Sequence, residues 1–287
     1  RKIMEGSRRV LSDALHTTSR RIIFTGGGSE ANNLAIKGTG LAPGNTKMHI
    51  ITSSIEHPAV SNTCDWMEEH GFTVTRLPVD RNGLVSPGSL KKAIGPDTCL
   101  VSIMLANNET GVIQPVKELA AIARSQGVLF HTDAVQAFGK IPVNVQDLGV
   151  DMLTVSAHKI QGPKGVGALY VGRNVPLEPL IHGGGQEHGA RSGTENIAGI
   201  AGFGKAVELL HDIPASMQKI RRLRDELQDG ILSMIEDSHL NGDAVQRLPN
   251  TLNVTLPGYR GESVVLSMSR YGVYFSSGSA CSSASSA

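Results

Sequence analysis

Cysteine is scarce. The 287-residue chain holds three, Cys64, Cys99 and Cys281, scattered so that they form no metal-ligand spacing and cannot all pair. This excludes a disulfide framework and suits a reducing cytosol, and no metal site is expected. An excess of charge of either sign is also lacking. Lysine and arginine number 27 against 26 acidic residues, a net charge of +1, and no basic stretch exceeds a helix face such as 219–224. Neither nucleic acid nor an anionic membrane is therefore expected as a partner. Long apolar runs are missing too. The longest are strand-sized, which excludes a transmembrane helix, and the first residues show no signal-peptide pattern. What is present is glycine, 33 residues of it, with 40% hydrophobic residues, enough for a large core and a second, smaller domain.

Short apolar runs alternate with helical patterns. Strands are expected at 21–25, 49–52, 72–79, 98–105, 128–131, 152–156 and 167–171, and helices at 30–37, 59–70, 89–94 and 116–126. That alternation predicts an α/β domain with a mainly parallel sheet covered by helices on both faces. From residue 195 the pattern changes to long helical stretches, 195–210 and 215–235, followed by a strand-like 251–256. A large domain over 1–200 and part of a smaller one over 201–287 are expected, with no internal repeat.

The stretch from Asp151 to Lys159 begins apolar and ends in a hydroxyl, an imidazole and an amine: Ser156, His158, Lys159. Lysine is rarely buried without a partner, so one held near the end of a core strand is wanted for its amine, which a desolvated or cationic site makes nucleophilic. An aldehyde cofactor bound as a Schiff base, pyridoxal 5'-phosphate (PLP), needs such an amine. It also needs an anion at its pyridine nitrogen, and Asp133 ends another apolar strand 26 residues before Lys159. Read singly, these are a surface lysine and a turn aspartate.

Other polar clusters sit where strand-to-helix loops should be. Gly26, Gly27, Gly28 and Ser29 open a helix, where glycine lets the backbone approach an anion and free amides bind phosphate. A dinucleotide fingerprint fails there because Asn32 stands at the third glycine position. His57 follows a strand, where it could stack on a cofactor ring or move protons. Asn107, Asn108 and Glu109 form a similar cluster, as does the glycine-rich 182–194. Each alone is an ordinary turn; together they would converge on the crevice where α/β sheets hold ligands.

The ordered set Gly28-Ser29-Glu30, Glu56-His57-Pro58, Asn107-Asn108-Glu109, His131-Thr132-Asp133 with Gln136, Ser156-Ala157-His158-Lys159, Gly183-Gly184-Gly185-Gln186 and Ser279-Ala280-Cys281 strongly resembles the cysteine desulfurases. These are PLP enzymes of the class V aminotransferase superfamily, fold type I, and the resemblance spans essentially the whole chain. The segment before Cys281 is similar to the NifS/IscS branch.

The resemblance implies that Lys159 forms the Schiff base and shuttles the proton at the substrate Cα. Asp133 would hold the pyridinium nitrogen, Gln136 would bond the ring hydroxyl, and His57 would stack on the ring and serve acid–base steps with Asn108 nearby. Gly28, Ser29, Ser156 and His158 would hold the phosphate. Thr194 would reach the neighbouring subunit's cofactor, which implies a homodimer. Cys281, in a mobile loop of serine, glycine and alanine, would take sulfur from L-cysteine, releasing L-alanine and passing the sulfur to an acceptor protein for iron–sulfur cluster assembly or thiolation. Cys64 and Cys99 would be structural, and the enzyme cytoplasmic.

Three positions depart from the family's usual residues: Ala157 for glycine, Ser29 for threonine and Gln161 for an aromatic. The resemblance also implies an N-terminal segment, and an arginine for the substrate carboxylate, outside these residues. Two other readings remain open at this level. One is a sibling enzyme, a selenocysteine lyase or class V aminotransferase. The other is a non-enzymatic scaffold for sulfur-trafficking partners.

Overall fold

The computed structural model describes residues 1–210 and 213–277. In chain order the elements are α1 (Lys2–Ala14), β1 (Ile22–Thr25), α2 (Gly28–Gly40), β2 (His49–Ser53), α3 (Pro58–Glu69), β3 (Thr73–Leu77), α4 (Pro87–Ala93) and β4 (Thr98–Ser102). There follow α5 (Val116–Ser125), β5 (Leu129–Asp133), α6 (Val145–Leu148), β6 (Met152–Ser156), β7 (Gly167–Val171), α7 (Ile197–Glu208), α8 (Ile213–Met234), β8 (His239–Leu240), β9 (Val254–Thr255) and α9 (Gly261–Ser269).

Strands β1 to β7 form one sheet in the order β1-β7-β6-β5-β4-β2-β3. The pairs β2–β3, β2–β4, β4–β5 and β5–β6 are parallel, whereas β7 runs antiparallel to both β6 and β1. The mainly parallel α/β sheet expected from the sequence is what the chain forms.

Because successive side chains in a strand point to opposite faces, the sheet separates two cores. Ile51, Val101, Phe130, Leu153, Val155 and Tyr170 pack on one side with Leu11 of α1, Leu119 of α5 and Phe203 of α7. Ile50, Leu100, Met152 and Leu169 pack on the other with Leu34 of α2 and Val60 and Met67 of α3. A sheet covered on both faces reads as continuous apolar runs, which is why β1, β4 and β6 are buried at every position.

Helix starts follow local chemistry. Pro58 opens α3 behind His57, whose Nδ1 accepts from the Ala59 amide; Pro87 opens α4 behind Ser86, whose hydroxyl accepts from Ser89 N. The boundary expected near residue 200 falls inside α7, whose Ile200, Phe203 and Val207 join the same core as Leu11. Beyond α7 the described chain continues as α8, the β8–β9 pair and α9, from which only Leu248 enters the main core among the described residues. No helix among the described residues is long and apolar enough to cross a membrane.

Candidate active site

Parallel strands β1, β2, β4, β5 and β6 release their chains at the same sheet edge, the place where open α/β sheets hold ligands. A cavity of about 140 Å³ lies there, lined by Gly28, Ser29, His57, Asn108, Asp133, Gln136, Ser156, His158 and Lys159. It adjoins an open cleft of about 560 Å³ that shares His57, Asn108, Gln136 and Lys159 and is closed on the far side by residues 250–256 and 275–277. The sheet thus gathers nine of the residues singled out from the sequence. Thr194 lines a different, smaller cavity with Thr25, Gly26 and Arg191. Cys281 lies outside the described residues.

Asp133 is the last residue of β5 and is buried. Its Oδ1 accepts from Val135 N at 2.9 Å and its Oδ2 accepts from Asn32 Nδ2 at 2.6 Å. Burial nevertheless pushes its carboxyl above the usual range, opposed by these two donors and by the nearby His57 and Lys159. A carboxylate so placed is stabilised by any further cation brought to it. Asn32, on the buried face of α2, has its own Oδ1 without a partner among the described residues.

Lys159 lies on a single 3-10 turn, Ala157–Ile160, directly after β6. Beside it, His158 Nδ1 and Ser156 Oγ are 2.9 Å apart, and burial pushes the imidazole below its ordinary value, helped by Lys159 and Lys164. Opposite stands the N-terminus of α2. A Cβ built on Gly28 would meet Val135 Cγ2 at 2.9 Å, so the backbone approaches the cavity more closely there than a side chain permits.

His57 Nδ1 is occupied by the Ala59 amide at 3.0 Å, so the ring N–H of the neutral imidazole is at Nε2. The preceding Glu56 turns inward. Its Oε1 accepts from Ser53 Oγ at 2.5 Å and from Met104 N at 3.0 Å, tying the end of β2 to the chain after β4. Burial raises its carboxyl to about 8, so it is largely neutral at pH 7. Asn107 shapes the neighbouring loop: its Nδ2 donates to Ile55 O at 2.9 Å and its Oδ1 accepts from Glu109 N and Thr110 N. Asn108 is presented by that loop.

The glycine-rich segment 182–194 is fixed by charge. Glu187 makes a buried two-pronged pair with Arg8 of α1, at 2.6 and 2.7 Å, and accepts from Phe24 N of β1 at 2.8 Å. Arg191 Nε pairs with Glu30 at 2.8 Å, and Glu30 Oε2 accepts from Gly26 N at 2.8 Å. The loop carrying Thr194 is thereby tied to the loop carrying Gly28. Cys64 and Cys99 are buried, and burial raises their thiols to about 12 and about 11. Neither forms a thiolate readily, in keeping with a structural role.

With this geometry in view, residues 1–287 match the aminotransferase class-V family. The chain belongs to the aminotransferase class-V family. The cysteine desulfurase IscS of Methanosarcina thermophila is 51% identical over 280 residues, which cover 97% of this chain and 69% of that protein. Among solved structures, a NifS-like protein superposes with a TM-score of 0.91 at 40% identity, covering 95% of this chain and 75% of that one. A structure of SspA in complex with cysteine superposes with a TM-score of 0.85 at 40% identity, covering 99% and 79%. Within the class-V family the chain is a cysteine desulfurase of the fold that NifS-like proteins share, the function and fold the sequence led us to expect.

Proposed function

We propose that this desulfurase holds PLP through Lys159 and converts L-cysteine to L-alanine, with the sulfur received by Cys281. The convergence of an amine, a buried carboxylate and a glycine-lined helix N-terminus on one cavity carries the reading. The residues fit the group. Asp133 is buried with two neutral donors among the described residues and would gain from a cationic ring nitrogen, while Gly28, Ser29, Ser156 and His158 offer hydrogen-bonding groups where a phosphate would sit.

When bound, PLP supplies an electron sink for negative charge at the substrate Cα. Lys159 takes and returns the proton at that carbon. Asp133 would accept from the ring nitrogen and keep it protonated. Gln136 would bond the ring hydroxyl, and His57, which lines the cavity with Asn108, would serve as the acid–base group. The Cys281 thiolate would attack the substrate sulfur, forming a sulfur–sulfur bond as the carbon–sulfur bond breaks; the electron pair of that bond leaves on the substrate carbon, which takes up a proton to give alanine, and a persulfide remains on Cys281. Its sulfur then passes to an acceptor protein for iron–sulfur cluster assembly or thiolation.

L-cysteine as substrate is supported by the desulfurase relatives and by the cysteine bound to SspA. Thr194 is exposed and lines a cavity other than this one, which supports a homodimer in which it serves the neighbour's cofactor. The division into a large cofactor domain over 1–200 and a smaller one over 201–287, a cytoplasmic location, and an absence of nucleic-acid and membrane partners belong to the same proposal.

Alanine release from L-cysteine by the PLP-loaded protein tests it. Lys159→Ala should lose borohydride-reducible PLP, and Cys281→Ser should keep bound PLP and release no alanine, since a hydroxyl is a far weaker nucleophile toward sulfur. Undiminished alanine from Cys281→Ser would overturn the sulfur-transfer role.

A further inference from the structure

Gln136 is not a free amide at the cavity wall. Its Oε1 accepts from Lys140 Nζ at 2.8 Å. The backbone sets this up: Phe138 N and Ala137 N both bond to Ala134 O, and Lys140 N and Ile141 N both bond to Ala137 O, so the segment winds and brings side chains four apart together. Gln136 Nε2, in contrast, meets no protein acceptor among the described residues, and the side chain lines both the small cavity and the open cleft. Burial, with Lys159 nearby, lowers the Lys140 ammonium to about 8, so it remains mostly cationic at neutral pH.

A carboxamide has an acceptor end and a donor end, and a half-turn exchanges them; an ammonium has donors only. Facing Lys140, the amide can therefore present only its oxygen. The other end, the NH2, is left for whatever occupies the cavity. Without Lys140 nothing among the described residues distinguishes the two orientations.

We propose that Lys140 is a positioning residue that locks the Gln136 carboxamide with its NH2 toward the bound cofactor, making Gln136 an obligate donor to the ring oxygen. This rests on the reading of Gln136 as the partner of the PLP ring hydroxyl. A donor at that oxygen stabilises its anionic form and so lowers the pH at which the bound chromophore loses its proton. An amide free to turn would spend part of its time presenting an acceptor there instead.

The test is the pH titration of the visible absorbance of the PLP-loaded protein. Lys140→Met should raise the midpoint by about half a pH unit or more, the equivalent of one neutral hydrogen bond. Gln136→Ala should raise it at least as far, the double variant should match Gln136→Ala alone, and Lys140→Arg should restore the native midpoint. Should the Met variant not load PLP, Lys140→Gln takes its place in the cycle. Shifts that add in the double variant would show Lys140 acting by charge alone and would overturn the inference. So would a native titration in Lys140→Met while Gln136→Ala shifts, an outcome that leaves the ring-hydroxyl reading intact. An unshifted Gln136→Ala would remove that reading, and with it the role of Lys140.

Discussion

Asn32 of α2 and Asp133 of β5, 101 residues apart in sequence, share a 2.6 Å hydrogen bond in a buried setting. Asn32 lies on the same helical face as Ala35 and Ile36, so its amide is out of water and reaches the carboxylate from inside the protein. The bond favours the charged form of a group that burial pushes toward neutrality.

Loss of this bond should therefore weaken the hold on PLP. In Asn32→Ala, Asp133 keeps the Val135 amide as its one donor among the described residues, and its carboxyl rises further above the usual range. A hydrogen bond to a charged group contributes about 1.5–3 kcal/mol, so PLP affinity should fall by about tenfold or more. Equilibrium titration of the apoprotein with PLP reads this directly, and an unchanged dissociation constant would remove Asn32 from the site.

Glu56 gives a prediction in pH. The native state keeps this carboxyl's proton up to about 8, whereas an unfolded glutamate loses it near 4.5. Between these values the folded protein binds more protons than the unfolded chain, so this group's stabilising contribution is full below 4.5 and is lost as pH rises through 8. Glu56→Gln is neutral at every pH and lacks that slope. Relative to the parent it should gain stability from pH 5 to pH 8, by at most about 1.4 kcal/mol per pH unit. Urea unfolding at saturating PLP measures the difference, and parallel stability curves for the two proteins would sink the idea of a buried neutral acid.

Strands β1, β2, β4, β5 and β6 were legible because each is a largely apolar run of strand length that ends in a polar residue. The edges were less so: the expected 72–79 shortens to Thr73–Leu77, since Asp80 turns to bond the amides of Asn82 and Leu84. α9 was not foreseen. The residues that line the cavity were legible because they follow strand ends in recognisable clusters. Asn32, Glu56, Lys140 and Glu187 were not assigned roles. Glu187 and Glu56 take their meaning from partners that sequence spacing does not announce: Glu187 lies 179 residues from Arg8, and Glu56 bonds an amide 48 residues away. Lys140 meets Gln136 only four residues away, through backbone turns that the apolar pattern did not mark as helical. For Asn32 a signal existed, an amide within the buried, mainly apolar face of a helix.

Gly28 allows the closeness of the α2 N-terminus to be tested separately from its glycine flexibility. Its backbone angles are helical, so alanine is not excluded by conformation. The obstacle is space: the new Cβ would lie 2.9 Å from Val135 Cγ2 and 3.6 Å from Ser156 Cβ. Gly28→Ala must therefore shift Val135 or α2, and moving the helix end proposed to hold the phosphate by even part of an ångström should reduce PLP affinity by about tenfold or more. Removing the obstructing methyls should reverse this. Val135→Ala leaves the Val135 amide free to keep its bond to Asp133, so the double variant Gly28→Ala/Val135→Ala should recover most of the lost affinity. If the double variant binds PLP as poorly as Gly28→Ala, the alanine methyl is meeting the cofactor itself rather than Val135. Affinity unchanged in Gly28→Ala would place the phosphate elsewhere.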